Sequence, residues 1–186
     1  TSLLSVTTMA QVTTEGREFW LGFMENDNPA SVELEIYLSS RQEANVVITA
    51  PRGNFRREIV VPAGTARFVS IPANEFMPVD EGVYDMGLKV TSDIPISVYA
   101  LNKRQFSADA AVILPTTALG KEYFVTAHAE PNFDIVDNAR ESELLIVAVQ
   151  DDTEVEITPS VRTASGKLPN NPFTVTLNAG ETYLIK

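Results

Sequence analysis

Over residues 31–39, Val32, Leu34, Ile36 and Leu38 alternate with Ser31, Glu33, Glu35 and Tyr37. A period of two sends successive side chains to opposite faces, so this stretch predicts a half-buried β-strand. The same reading extends through the first half of the chain. Residues 17–25, REFWLGFME, carry Phe19, Trp20 and Phe23 and predict a strand, with a turn at Glu25–Pro29. Residues 45–49 predict another, stopped by Pro51, with Gly53 in the turn that follows. Residues 55–61 end at Pro62-Ala63-Gly64, and residues 67–71 end at Pro72. Prolines after the apolar runs fit strand ends, where a missing ladder donor costs little. A loop over 73–81 carries Phe76 and Met77.

Residues 82–115 predict the centre of this half. Leu88 and Val90 lead to a turn at Ser92-Asp93, and after Pro95 the residues Ile96, Val98 and Ala100 or Leu101 begin a second arm. A polar loop over 102–109 and a short strand over 111–114 close the segment at Pro115. Two β-branched arms across a short turn read as a hairpin of inner strands.

The pattern then recurs. Gly16-Arg17-Glu18-Phe19-Trp20 is answered by Gly120-Lys121-Glu122-Tyr123-Phe124. Residues 31–39 are answered by 142–150, residues 45–49 by 154–158, residues 55–64 by 173–180, and residues 65–71 by 182–185. Order is kept across five elements, so an internal repeat is expected. The fold class is all-β, with tandem antiparallel β-sandwich-like modules. Expected divisions are an N-terminal arm or strand at 1–14, a first module at 15–116 and a second at 117–186. The second copy has no counterpart of 82–115, so it is expected to be incomplete. Residues 1–12, a neighbouring chain or further sequence could complete its sheet. Residues 1–12 also read as the end of an export signal, although the arm is preferred.

The formal net charge of the 186 residues is −11, which disfavours nucleic acid and acidic membranes. No apolar run is long enough to span a bilayer. There is no cysteine, which excludes a disulfide framework and thiol chemistry.

Candidate chemistry is sparse. His128 is the only histidine, so a histidine metal cluster within one chain is excluded, and no nucleophile motif accompanies it. It reads as structural. Glu25 with Asp27, or Asp80 with Glu81, could face a groove as a carboxylate pair. The loops at Glu25–Asn28, Asp80-Glu81, residues 134–138 and Asp151-Asp152 offer oxygen ligands for calcium, yet none has EF-hand spacing, and Asp and Asn also favour turns by bonding their own backbone. Arg56-Arg57 and Lys103-Arg104 form no stripe with aromatics. Arg104 is expected to pair with Asp93 or Asp109, Asn102 to cap a turn, and Trp20 to lie in the core. No catalytic or cofactor-binding residue is assigned.

Several segments together resemble the IgGFc-binding protein family. They are Gly16-Arg17-Glu18-Phe19, residues 92–102 (SDIPISVYALN), Ser107-Ala108-Asp109-Ala110, Leu114-Pro115 and Leu119-Gly120-Lys121-Glu122-Tyr123. The resemblance covers about residues 15–186 and is most specific over 92–123. It implies a secreted or surface-exposed β-domain of a longer protein, and the lack of cysteine favours the bacterial surface-protein branch. The expected function is a non-catalytic structural or adhesive module. A carbohydrate- or protein-binding module is the alternative, and a hydrolase with paired carboxylates stands third. Expected partners are other domains of the same protein, or a host or matrix protein or glycan. Exposed aromatics converging on one sheet face would favour the binding module.

Overall fold

The computed structural model describes residues 13–26, 28–126 and 142–186. The fold is all-β, as expected. Its N-terminal strands are β1 (Gly16–Leu21), β2 (Val32–Ser40), β3 (Ala44–Thr49), β4 (Arg56–Val61) and β5 (Thr65–Ile71). A short helix α1 (Ala73–Phe76) precedes β6 (Gly82–Tyr84), β7 (Leu88–Arg104) and β8 (Ser107–Ile113). The C-terminal strands are β9 (Leu144–Val147), β10 (Thr153–Ile157), β11 (Phe173–Leu177) and β12 (Thr182–Ile185).

The predicted hairpin over 88–101 is instead one strand of 17 residues. Its first half lies between β3 and β1, with Val90 opposite both Ile48 and Phe19. Its second half lies between β2 and β8, with Tyr99 opposite both Tyr37 and Val112. Pro95 falls in the handover, after the β3 ladder ends at Ser92 and before the β2 ladder begins at Ser97. Its missing N–H therefore interrupts neither ladder. Asp93 serves the start of β3 by accepting from the backbone N–H and Nδ2 of Asn45, at 2.8 and 2.7 Å. Turn-forming residues here mark a change of partners, and the chain does not reverse. The reversal comes at Gln105-Phe106, where the predicted polar loop is a tight turn between Arg104 and Ser107. Phe106 sits there at φ 73°, a region that aromatic residues rarely enter, and is 97% exposed.

The even-numbered side chains of β2 and of both halves of β7 point into one core, with Ile36, Leu38, Val90 and Val98 fully buried. Phe19 and Leu21 of β1 join them. Trp20 corrects the expectation, because it alternates to the opposite face and is half-buried. There its Nε1–H donates to Glu18 at 3.2 Å and Lys89 Nζ stands 5.1 Å from the ring centre. The predicted 73–81 loop contributes α1, whose Phe76 packs edge-on against Phe55 with centroids 5.3 Å apart.

A second cluster joins Ala148, Ile157, Leu177, Tyr183 and Ile185. Its strand pairings repeat those of the first. β2 with β5 and β3 with β4 have their counterparts in β9 with β12 and β10 with β11. The turns match as well. Gly64 N–H donates to Ser40 O, and Gly180 N–H to Ala148 O, each at 2.9 Å, with φ of 69° and 85°. Glycine enters that region at no steric cost. This register equates Ser40 with Ala148, so Ile36 matches Leu144 and Leu38 matches Ile146. Matching 31–39 to 142–150 by sequence sets Leu34 against Leu145, three residues off this register. No described residues form a counterpart of β7, and the stretch matching β1 is not a strand. Its Tyr123 and Phe124 are exposed.

The two sets of strands interlock. β6 pairs with β12, giving a sheet in the order β6-β12-β9. Residues 22–26 leave β1 and pass over that sheet, with Gly22 against Leu145, Val147 and Thr182.

Candidate binding face

The outer face of β5-β2-β7-β8 carries an apolar row. Cross-strand register aligns Phe68, Tyr37, Tyr99 and Val112 across four strands. Each is a single apolar residue at a position facing away from the core, and only the pairing assembles them. Phe68 is 57% and Tyr99 41% exposed. The Tyr37 and Phe68 rings lie 5.7 Å apart with 30° between planes. Ser39, Ala66, Leu101 and Ala110 flank Tyr37 and Tyr99, the two middle members of the row, and leave a shallow groove of about 370 Å³. Small side chains at Ser39 and Ala66 make the hollow; the larger rings make its walls.

One end of the face is charged. Tyr37 OH donates to Glu35 Oε2 at 2.8 Å, and Lys103 Nζ lies 3.2 Å from Glu35 and 2.9 Å from Glu33. Glu35 is nearly buried beneath these partners. The hydrogen bond to Glu35 holds the Tyr37 phenol above its usual range. Hydrogen bonds to Glu33 and then Glu35 raise the Lys103 ammonium likewise. A charge with two fixed partners keeps its hydrogens oriented and leaves the rings as the accessible surface.

The residues singled out from the sequence lie apart from this face or serve the fold. Glu25 accepts from Lys186 Nζ at 2.8 Å. Glu81 does not form a site with Asp80. Its carboxylate accepts from Ser165 Oγ at 2.6 Å, Ser165 N–H at 2.8 Å, and Thr163 Oγ1 and Tyr183 OH at 3.2 Å. Burial alone would raise its pKa, but these donors outweigh burial and hold it below the usual value of 4.5. Asp151 accepts from Ala179 N–H at 3.0 Å, and Asp152 takes φ 54° in the same turn region. Asn28 caps the turn over Pro29–Ser31 by accepting from Ala30 N–H. Among the described residues no three His, Asp or Glu side chains cluster as a metal site would require. His128, Asp27, residues 134–138 and residues 1–12 lie outside the described residues.

Two further expectations are corrected: the pairing of Arg104 with Asp93, and the turn-capping role of Asn102. Asp93 is held by Asn45, in the half of β7 remote from Arg104. Asn102 caps no turn. It lies within β7, accepts from Asn26 Nδ2 at 2.7 Å and donates to Met24 O at 3.0 Å, so it fastens the crossing segment. Arg56 pairs with Glu58 at 2.6 Å, while Arg57 lies over the Phe55 ring at 4.7 Å.

Glu81 gives a pH prediction. Its folded pKa is depressed, so its contribution is present above pH 4.5 and is lost as pH falls through the folded value. Amide exchange over 163–167 is expected to accelerate in that acid window, and Glu81→Gln should flatten the response. Tyr183 acts at the other extreme. Burial, then the charge of Glu81, pushes its phenol up to about 12, so its contribution holds below the usual 10.0 and fades as pH rises through 12.

The chain is thus an all-β protein with an exposed aromatic sheet face. Among the described residues no helix is long and apolar enough to cross a membrane. Residues 109–186 match the family model described as IgGFc binding protein. Over 112 residues, 58% of this chain, the sequence is 31% identical to the IgGFc-binding protein of Homo sapiens, and the match covers 2% of that protein. The resemblance seen in the sequence is therefore shown for the C-terminal part, from within β8 onward. This relative is human, so it lends no support to a bacterial branch. No solved structure matches the chain.

Proposed function

We propose that the chain is a non-catalytic, protein-binding module of a secreted protein, composed of an arm at 1–14 and related β units at 15–116 and 117–186. Its contact surface is the row Phe68–Tyr37–Tyr99–Val112. The single observation that carries this reading is the continuity of that row across four strands while its polar neighbours are already paired. Aromatic rings at such a surface bury large area at small entropic cost. The family match agrees with a binding role, and the relative's name supplies one protein to try, the Fc part of immunoglobulin G. Adhesion and surface display remain compatible, and no cofactor enters the mechanism.

A carbohydrate platform is the second reading, favoured by the tilted pair of rings beside Glu35. One experiment separates the two. Wild type, Phe68→Ser and Tyr99→Ser are compared for binding to immobilised Fc fragment, to extracellular proteins and to a glycan array. A protein partner whose affinity drops about tenfold or more in either variant supports the reading, since buried aromatic anchors contribute at least that much. Protein binding untouched by both variants, or binding to glycans alone, overturns it.

A further inference from the structure

The outer face of β9-β12 is the counterpart of the outer face of β2-β5. In the register fixed by the Gly64 and Gly180 turns, Tyr37 matches Leu145, Ser39 matches Val147, Ala66 matches Thr182 and Phe68 matches Leu184. In the C-terminal copy the β12 side of this surface is covered: Thr182 and Leu184 are both 0% exposed, while Leu145 and Val147 are half-buried. The cover comes from the N-terminal strands. A Cβ on Gly22 would stand 2.7 Å from Leu145 Cδ2, 3.3 Å from Thr182 Cγ2 and 3.4 Å from Val147 Cγ2, so the bare backbone sits directly on these side chains. β6 adds itself to the outer edge of β12, with Gly82 opposite Leu184 and Tyr84 opposite Thr182. Gly87 N–H donates to Gly180 O at 2.9 Å.

Each of these acceptor features recurs on β2 and β5, uncovered among the described residues. The 370 Å³ groove is lined by Tyr37, Ser39 and Ala66, the counterparts of the three residues beneath Gly22. A second hollow of about 420 Å³ is lined by Ser40, Gly64, Thr65 and Ala66, the counterpart of the turn that receives Gly87. A Cβ on Gly64 would meet nothing within 4 Å, whereas one on Gly180 would meet Pro51 and Arg52. Among the described residues β5 has no partner besides β2. One contact does not carry over. Arg52 lies 3.3 Å from Glu181, whose counterpart is Thr65, so this ion pair is specific to the internal junction.

We infer that the face of β2 and β5 is the acceptor side of a head-to-tail junction, occupied by a β unit built like residues 15–116. The occupant seats a glycine-containing crossing segment, equivalent to Leu21-Gly22-Phe23, in the groove and adds a short strand, equivalent to β6, to the edge of β5. This names the partner class for the face proposed above and rests on that reading. The occupant is not a second intact copy of this chain, because that copy's Gly22 and β6 are engaged by its own β9-β12 sheet. Such contacts are heterologous and propagate in one direction.

The test is an extended chain in which a second copy of residues 13–119 is fused ahead of Gly16, reproducing the join between the two units. Hydrogen exchange is read on β5. The outward amides are expected to slow at least about tenfold relative to the parent chain, and Gly22→Trp in the added copy alone should restore parental exchange. If the β2 and β7 amides of the added copy are protected while β5 exchanges at the parental rate, the inference fails. Should the added copy not fold, a second variant decides. Leu145→Tyr, Val147→Ser, Thr182→Ala and Leu184→Phe together give β9-β12 the face of β2-β5 in the original chain. Exchange at Gly82–Tyr84 within about tenfold of wild type supports the acceptor role, and exchange as fast as in a Leu145→Arg control overturns it. Self-association of the wild-type chain that Phe68→Ser abolishes would name a second copy as occupant and equally overturn it. Failure here, with Phe68 and Tyr99 still required for protein binding, removes the occupant and leaves the binding face.

Discussion

Leu38→Ala is expected to lower the free energy of unfolding by about 3–4 kcal/mol, while Ile146→Ala at the matching position costs about half as much. The two residues occupy the same place in the repeated pairing, opposite Arg67 and Tyr183. Their surroundings differ. Leu38 is fully buried beside Ile96 and Val98 of β7, whereas Ile146 is only partly buried in a cluster without a strand of that kind among the described residues. A truncation that opens a closed cavity costs transfer and cavity energy together, and a half-open site can admit water or relax. Urea titration of both variants with the slope held common would check the ratio. Equal losses would mean that the C-terminal cluster is as closed as the N-terminal one.

Gly87→Ala is expected to cost about 2–3 kcal/mol, and Gly22→Ala less than about 1 kcal/mol. Both glycines lie at the junction, but they meet different atoms. A Cβ on Gly87 would stand 2.6 Å from the Gly180 carbonyl oxygen, and this backbone is fixed by the donated bond from Gly87 itself. A Cβ on Gly22 would meet the tip of Leu145, which has rotamers to spare. Hydrogen exchange should localise the first effect. β6 and β12 are expected to lose protection in Gly87→Ala while β2 and β7 keep theirs. A uniform loss across all strands would show that the junction has no energetics of its own.

How far these features were legible depends on whether the signal is local. The alternation of Val32, Leu34, Ile36 and Leu38 is local, and it gave β2 within a residue of its observed bounds. The glycine turns at 64 and 180 likewise carry their own conformational demand, and they anchored the repeat. The offset within the repeat was misplaced because Leu144–Val147 is apolar on both faces, one toward β10-β11 and one toward Gly22. Such a run has no parity to read. β7 was read as two arms because Asp93 and Pro95 favour turns locally, while the handover between ladders that accommodates them is a property of four other strands. The strand pattern alone suggests the core for Trp20, although Phe19 and Leu21 already fix the inward parity. The exposed aromatic row is illegible in the sequence for a related reason. Tyr37 stands among the polar positions of its strand, and nothing in the sequence places it beside Phe68 and Tyr99.

The handover in β7 has a thermodynamic consequence. One uninterrupted strand supplies the middle of two ladders, so neither β3 nor β2 can separate from it without leaving Val90 or Val98 stranded from their common core. Melting of this part should therefore be cooperative, with a calorimetric enthalpy equal to the van't Hoff value. The slowest amides on both sides of Pro95 should open with one shared free energy.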